Sequence, residues 1–152
     1  MKKIYTILVM MSLVISSYSQ SPIASDEEMI KALIKNSFDD IWSKFDSKKI
    51  EDYHTKDFLL LEHGEVWNND TIANYVNKAV LKTPLPSRVN SFEFIDIKIY
   101  GDIAWVAYYN KAVISLDSKV IREAQWLESV VAVLTEKGWR LQMMHSTRVK
   151  KD

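Results

Sequence analysis

From Ser87 to the end the chain reads as four long strand-like runs, Phe92–Tyr100, Ile103–Leu116, Lys119–Thr135 and Trp139–Val149. Gly101-Asp102, Asp117-Ser118 and Glu136-Lys137-Gly138 separate them. Connections this short join neighbouring strands only as antiparallel hairpins, because a parallel crossover needs a dozen residues or more. The second half of the chain is therefore an antiparallel meander, and everything before it has to pack against that sheet.

What comes before is mostly helical. Ser25-Asp26-Glu27-Glu28 has the form of a capping box, with the Ser25 hydroxyl and Glu28 carboxylate serving the free N–H groups of a first turn. Ile30, Leu33, Ile34, Phe38, Ile41, Trp42 and Phe45 then recur at helical spacing and give one wide apolar stripe. A short helix is expected around Lys48–Tyr53, and Asp57–Glu62 carries the run Phe58-Leu59-Leu60-Leu61 of a buried strand. A third helix starts at Asn69 or Asp70 with Ile72, Tyr75, Val76, Ala79 and Val80 on one face, and Pro84 and Pro86 stop it. Helices gathered before a meander mean α+β rather than alternating α/β.

Residues 1–19 are set aside from this fold. Lys2 and Lys3 precede an apolar run from Ile4 to Ile15, and Ser17 and Ser19 supply small residues before Gln20, the pattern of a cleavable secretory signal. The run is short for a permanent span. The expected product is residues 20–152, periplasmic or secreted, with no membrane anchor after cleavage because a bacterial lipid anchor needs a cysteine and the chain has none. Loss of the two lysines turns 20 cationic against 20 acidic residues into 18 against 20. That balance, with no basic block, gives no footprint for a nucleic-acid partner. An exported chain without cysteine has no disulfide and must rely on its core, which a domain of this length supports.

Strand alternation assigns the faces. In the last run Trp139, Leu141, Met143, His145, Thr147 and Val149 form the more apolar set and are expected to face the first helix. In the middle runs both sets are apolar, Trp105, Ala107 and Tyr109 against Val106, Tyr108 and Ala112. Antiparallel sheets usually leave one face polar, so a homodimer through the outer sheet face is expected.

The order long helix, short helix, strand, third helix and curved four-stranded meander is similar to that of the nuclear transport factor 2-like superfamily, the cystatin-like cone. The closing hairpin adds residues to this. Trp126-Leu127-Glu128-Ser129-Val130-Val131, a Gly-containing turn and Trp139-Arg140-Leu141-Gln142-Met143-Met144-His145-Ser146-Thr147 resemble the end of the SnoaL-like and domain of unknown function 4440 families. The kinase association domain of the same superfamily is similar there. The resemblance implies N-terminal helices packed on a curved antiparallel sheet around a pocket. Its members include isomerases, dehydratases, polyketide cyclases, and non-catalytic ligand-binding or assembly domains, so the fold does not select among them. Related association domains often place an Arg two residues after the Glu, where Val130 stands here.

Glu128 is the leading candidate for chemistry, because a carboxylate inside an apolar strand must be paired or must titrate abnormally. Within the cone it would serve as general acid or base; a structural bond to a neighbouring strand, with Arg140 or Arg148 as partner, is the plainer reading. His145, which matches the family His, would shuttle a proton or bond a ligand carbonyl, or is a satisfied core histidine. Asp96 is a strand carboxylate of the type ketosteroid-isomerase-like cones use for proton abstraction, although Lys98 on the same face points to a solvent-side charge pair. His54 and His63 are expected in surface loops. Glu62-His63-Gly64-Glu65 has no further ligand at a recognisable spacing, and no metal or cofactor is expected. Trp42, Tyr53, Trp67, Trp105, Tyr108 and Trp126 are candidates to line a pocket for a small, mostly apolar organic molecule with polar groups. The competing expectation is a homodimeric binding or assembly module with a filled core.

Overall fold

A computed structural model describes residues 24–150. The proposed signal segment therefore lies outside the described residues, and no helix among those described is long and apolar enough to cross a membrane.

Helix α1 (Asp26–Ser37) begins in the capping box read from the sequence. Glu28 N–H donates to Ser25 Oγ at 3.3 Å, and Ser25 N–H donates to Glu28 Oε2 at 3.1 Å. The apolar stripe continues through a π-helical turn, Phe38–Ser43, that ends at Phe45 in a left-handed conformation. One residue more per turn rotates the stripe: Phe38 and Ile41 stay buried while Trp42 and Phe45 move to the edge of the core. A 3-10 turn, Ser47–Lys49, leads into the one-turn helix α2 (Ile50–Tyr53), and α3 spans Asn69–Ala79 with Asn68 as its cap.

The strands are β1 (His54–Glu62), β2 (Glu65–Trp67), β3 (Ser87–Tyr100), β4 (Ile103–Leu116), β5 (Lys119–Thr135) and β6 (Gly138–Arg148). They form one six-stranded sheet in the order β2-β1-β6-β5-β4-β3. The meander is antiparallel throughout, and β1 adds to its free edge parallel to β6. Asp117 and Ser118 both have positive φ, the geometry a two-residue hairpin needs to match strand twist. The helices fill the concave face, where Ile30, Ile34, Phe38, Ile41, Ile72 and Val76 meet Leu60, Val106, Val130, Leu141 and Met144. This is the α+β cone expected.

Two details differ from the sequence reading. His54, expected at the surface, is 4% exposed at the start of β1, its ring stacked 3.8 Å from that of Phe58; Trp67 sits on the neighbouring short edge strand β2. The second difference concerns the last strand. Val131 pairs with Met143 but Ala132 pairs with Leu141, so Gln142 is an extra residue and β6 bulges there. A bulge shifts the alternation by one, and every later side chain changes face. Trp139 and Leu141 point inward as expected, but beyond the bulge Met144 and Ser146 are the buried residues, while His145 and Thr147 are exposed.

Candidate functional site

One row of the inner sheet face holds the polar centre of the molecule. Across the strands it runs Phe94, Tyr108, Glu128, Ser146, Glu62, and the adjacent row runs Phe92, Asn110, Trp126, Arg148. Glu128 is 4% exposed. Its Oε1 accepts from Ser146 Oγ at 3.1 Å and its Oε2 accepts from Asn110 Nδ2 at 3.4 Å. Burial pushes its carboxyl up to about 7, against the pull of Tyr108, Ser146 and Asn110 and the more distant charge of Arg88. Tyr108 stands directly opposite Glu128, wholly buried, but its hydroxyl lacks a partner at hydrogen-bonding geometry; burial and then the Glu128 charge drive its ionisation well above the usual phenol range.

This carboxyl is not held by an ion pair. The arginines proposed as partners are engaged elsewhere: Arg140 donates to the Trp139 carbonyl at 2.9 Å and Arg148 to the Glu123 carbonyl at 3.4 Å. Arg148 and Arg88 instead flank Trp126, with guanidinium carbons 4.8 Å and 5.4 Å from its ring. Among the described residues the buried Trp126 Nε1–H has no acceptor. Glu128, Ser146, Trp126, Arg88, Trp42 and Phe38 share a pocket of about 40 Å³, room for a few waters. Through Trp42 and Arg88 it adjoins a wider vestibule of about 240 Å³ between α3 and the open ends of β3, β4 and β5. A carboxyl titrating near neutrality in a desolvated, hydrogen-bonded setting both donates and accepts protons, which suits it to acid/base work.

No protein-family model matches the chain, and no curated protein does. Solved structures do. The chain is similar to the CamKII hub homology domain of Chlamydomonas reinhardtii, at 18% identity and a TM-score of 0.72, over 83% of this chain and 100% of that one. It is also similar to a nuclear transport factor 2-like protein of Cytophaga hutchinsonii, at 16% identity and a TM-score of 0.66, over 83% and 100%. The fold is that of the nuclear transport factor 2-like superfamily. A ketosteroid isomerase-like protein of Erwinia carotovora atroseptica is a further neighbour, at 15% identity and a TM-score of 0.60, over 80% and 95%.

Within this nuclear transport factor 2-like cone the residues singled out from sequence separate into three locations. Glu128, Tyr108, Trp126 and Trp42 come together at the inner pocket. Trp67 and Tyr53 lie to its side: Trp67 donates to Glu65 at 2.7 Å and packs 5.4 Å from Tyr75, and the Tyr53 hydroxyl donates to Asp40. Burial, and then that bond, hold the Tyr53 hydroxyl above its ordinary range. Trp105, Asp96 and His145 are on the outer face. Asp96 pairs with Lys98 at 3.2 Å, which is the solvent-side charge pair, and a β3 bulge at Ile95 fixes its facing. His145 is placed outward by the Gln142 bulge, exposed at a surface pocket of about 250 Å³ that Glu62, His63 and Glu65 also line, so it is not a core histidine and lies apart from the inner pocket.

Three participants were not found by sequence reasoning. Ser146 takes the inward place assigned to His145. Asn110 was passed over as one more residue of an apolar strand. Arg88 lies ahead of Phe92, where the first run was started, although the alternation Arg88, Asn90, Phe92, Phe94 already extends the strand back to Ser87. Among the described residues no cluster of three or more His, Cys, Asp or Glu side chains could hold a metal ion.

Proposed function

We propose that this chain is an exported small-molecule-binding domain whose site is the Glu128 pocket with its adjoining vestibule, and that it works as a homodimer. The observation that carries this reading is Glu128 itself. A carboxyl taken out of water without an ion pair is costly, and one that also lines a pocket and titrates far from its ordinary range is a candidate for function. Its titration near neutrality fits cofactor-independent acid/base chemistry of the isomerase, dehydratase or cyclase class, with Glu128 as base and the Tyr108 and Ser146 hydroxyls as polarising donors. Asp96 and His145, on the opposite face, have no part in this reading.

The homodimer rests on the outer face. Leu59, Met143, Val131 and Trp105 form one continuous apolar row across four strands, with Leu59 and Trp105 each 41% exposed. A two-fold axis would pair this row with itself. Native mass spectrometry of mature protein purified gently from a secreting host tests both parts. A dimer retaining a small molecule of defined mass, lost in Glu128→Ala, is the expected result. A protein without ligand in repeated preparations, identical in wild type and variant, would move the assignment to the filled-core assembly module, which the small inner pocket volume favours.

A further inference from the structure

The vestibule has an uneven charge. Arg88, Ile114 and Arg122 occupy one row of the inner sheet face, on β3, β4 and β5, so the sheet register itself sets the two arginines on a common wall. Lys82 completes the lining from the segment after α3. No Asp or Glu lines the vestibule, and among the described residues none of these three cations forms an ion pair. Arg88 donates through Nε to Asn90 at 3.0 Å and lies over Phe38 and Trp126, which engages the Nε–H side of its fork. Burial, rather than any neighbour, is the main influence lowering its basicity, and Arg122 adds to it. The Glu128 and Glu62 carboxyls face Arg88 only from the adjoining inner pocket, so on the vestibule side Arg88 and Arg122 repel one another, and that cost falls when an anion sits between them.

The rest of the lining is apolar. Trp42, Phe45, Tyr75, Leu85 and Ile121 surround the cations, and Leu85 and Ile121 are 43% and 55% exposed at the rim. Nearby, among the described residues, the buried Trp126 N–H lacks an acceptor. An N–H without an acceptor and cations without an ion pair, set in an apolar surround, describe one ligand class.

We propose that the ligand is an amphiphilic organic anion, its carboxylate or phosphate head bridging Arg88 and Arg122 and its apolar body lying on Trp42, Phe45 and Tyr75. The proposal rests on reading the Glu128 pocket and vestibule as the ligand site. It places the bound molecule beside Trp42 and Arg88, the two residues through which the vestibule meets the Glu128 pocket.

The test is isothermal titration calorimetry of residues 20–152 with octanoate, octyl phosphate, octan-1-ol and octylammonium, repeated on Arg122→Gln and Arg88→Gln. Arg122 is exposed, so its replacement leaves folding intact, which circular dichroism checks. Octanoate or octyl phosphate should bind about tenfold or more tighter than octan-1-ol, and Arg122→Gln should remove about that factor for the anion while leaving the alcohol unchanged. Preference between the two anions identifies the head group. Equal binding of alcohol and anions, unaffected by Arg122→Gln, overturns the anion assignment but keeps the pocket. Tighter binding of octylammonium overturns it as well. Absence of binding for all four, with no retained molecule in native mass spectrometry, overturns both.

Discussion

Glu128 Oε1 and Ser146 Oγ meet at 3.1 Å across the β5–β6 ladder only because β6 carries one residue more than β5 at Gln142. Without that bulge the residue opposite Glu128 on the inner face would be His145, the pairing that strict alternation implies. Ser146→Ala removes a donor to the charged carboxylate, so the Glu128 carboxyl should rise further, above about 7. Carboxylate resonances followed by NMR titration should show the shift, with a stability loss of about 1 to 2 kcal/mol in urea unfolding at pH 8 that shrinks at pH 5.

Glu128→Gln should remove the loss of stability on the alkaline side. The folded carboxyl titrates near 7, above its unfolded value of about 4.3. The folded state therefore favours the protonated form, and Glu128's contribution is fully present below about pH 4.3 and is lost as pH rises through 7. The Gln variant cannot ionise, so it should be more stable than wild type at pH 8 by about 4 kcal/mol and nearly equal at pH 4. Urea midpoints measured across that range check this, and a variant less stable at pH 8 would contradict it.

His54 should act in the opposite sense. Burial, only partly offset by the Asn69 contact, lowers its imidazole to about 4. Its contribution is present above the unfolded value of about 6.5 and is lost as pH falls through 4. Between these limits the His54 and Glu128 slopes oppose each other. The two largely cancel in wild type, so His54→Gln should unmask the Glu128 slope, with stability falling as pH rises, while the double variant with Glu128→Gln should again be nearly independent of pH over that window. Thermal melts at half-unit pH intervals would show whether the two slopes separate in this way.

At pH 5, where the Glu128 carboxyl is mostly protonated, Tyr108→Phe should cost little, because among the described residues the buried hydroxyl has no partner at hydrogen-bonding geometry and the ring supplies the packing. Loss of its pull on the neighbouring carboxylate should also raise the Glu128 titration. A loss above about 2 kcal/mol in urea would mean that the hydroxyl is bonded in solution.

On the outer face, Trp105→Lys and Leu127→Lys should separate the proposed dimer without unfolding the cone. Both side chains are about two-fifths exposed in one chain, at 41% and 42%, so their charge reaches water in a monomer. Sedimentation velocity should show a monomer with unchanged far-UV circular dichroism; an unaltered dimer would place the interface elsewhere.

The amino-acid sequence by itself determined the meander and the capped first helix, and it marked Glu128 as a carboxylate within an apolar strand without assigning its face. Each of these follows from local chemistry: two- or three-residue turns, a Ser-x-x-Glu cap, and residue pattern read over a few positions. What only the tertiary structure decided lies beyond irregularities. The π-turn at Phe38–Ser43 set Trp42 at the pocket edge, the Gln142 bulge exchanged His145 for Ser146, and the parallel pairing of β1 with β6 buried His54. A bulge is one residue's difference between two strands distant in sequence, settled by which register buries more apolar surface, and the pattern within a single strand does not contain it. The pairing of Arg88 with Arg122 likewise exists only once β3, β4 and β5 lie side by side.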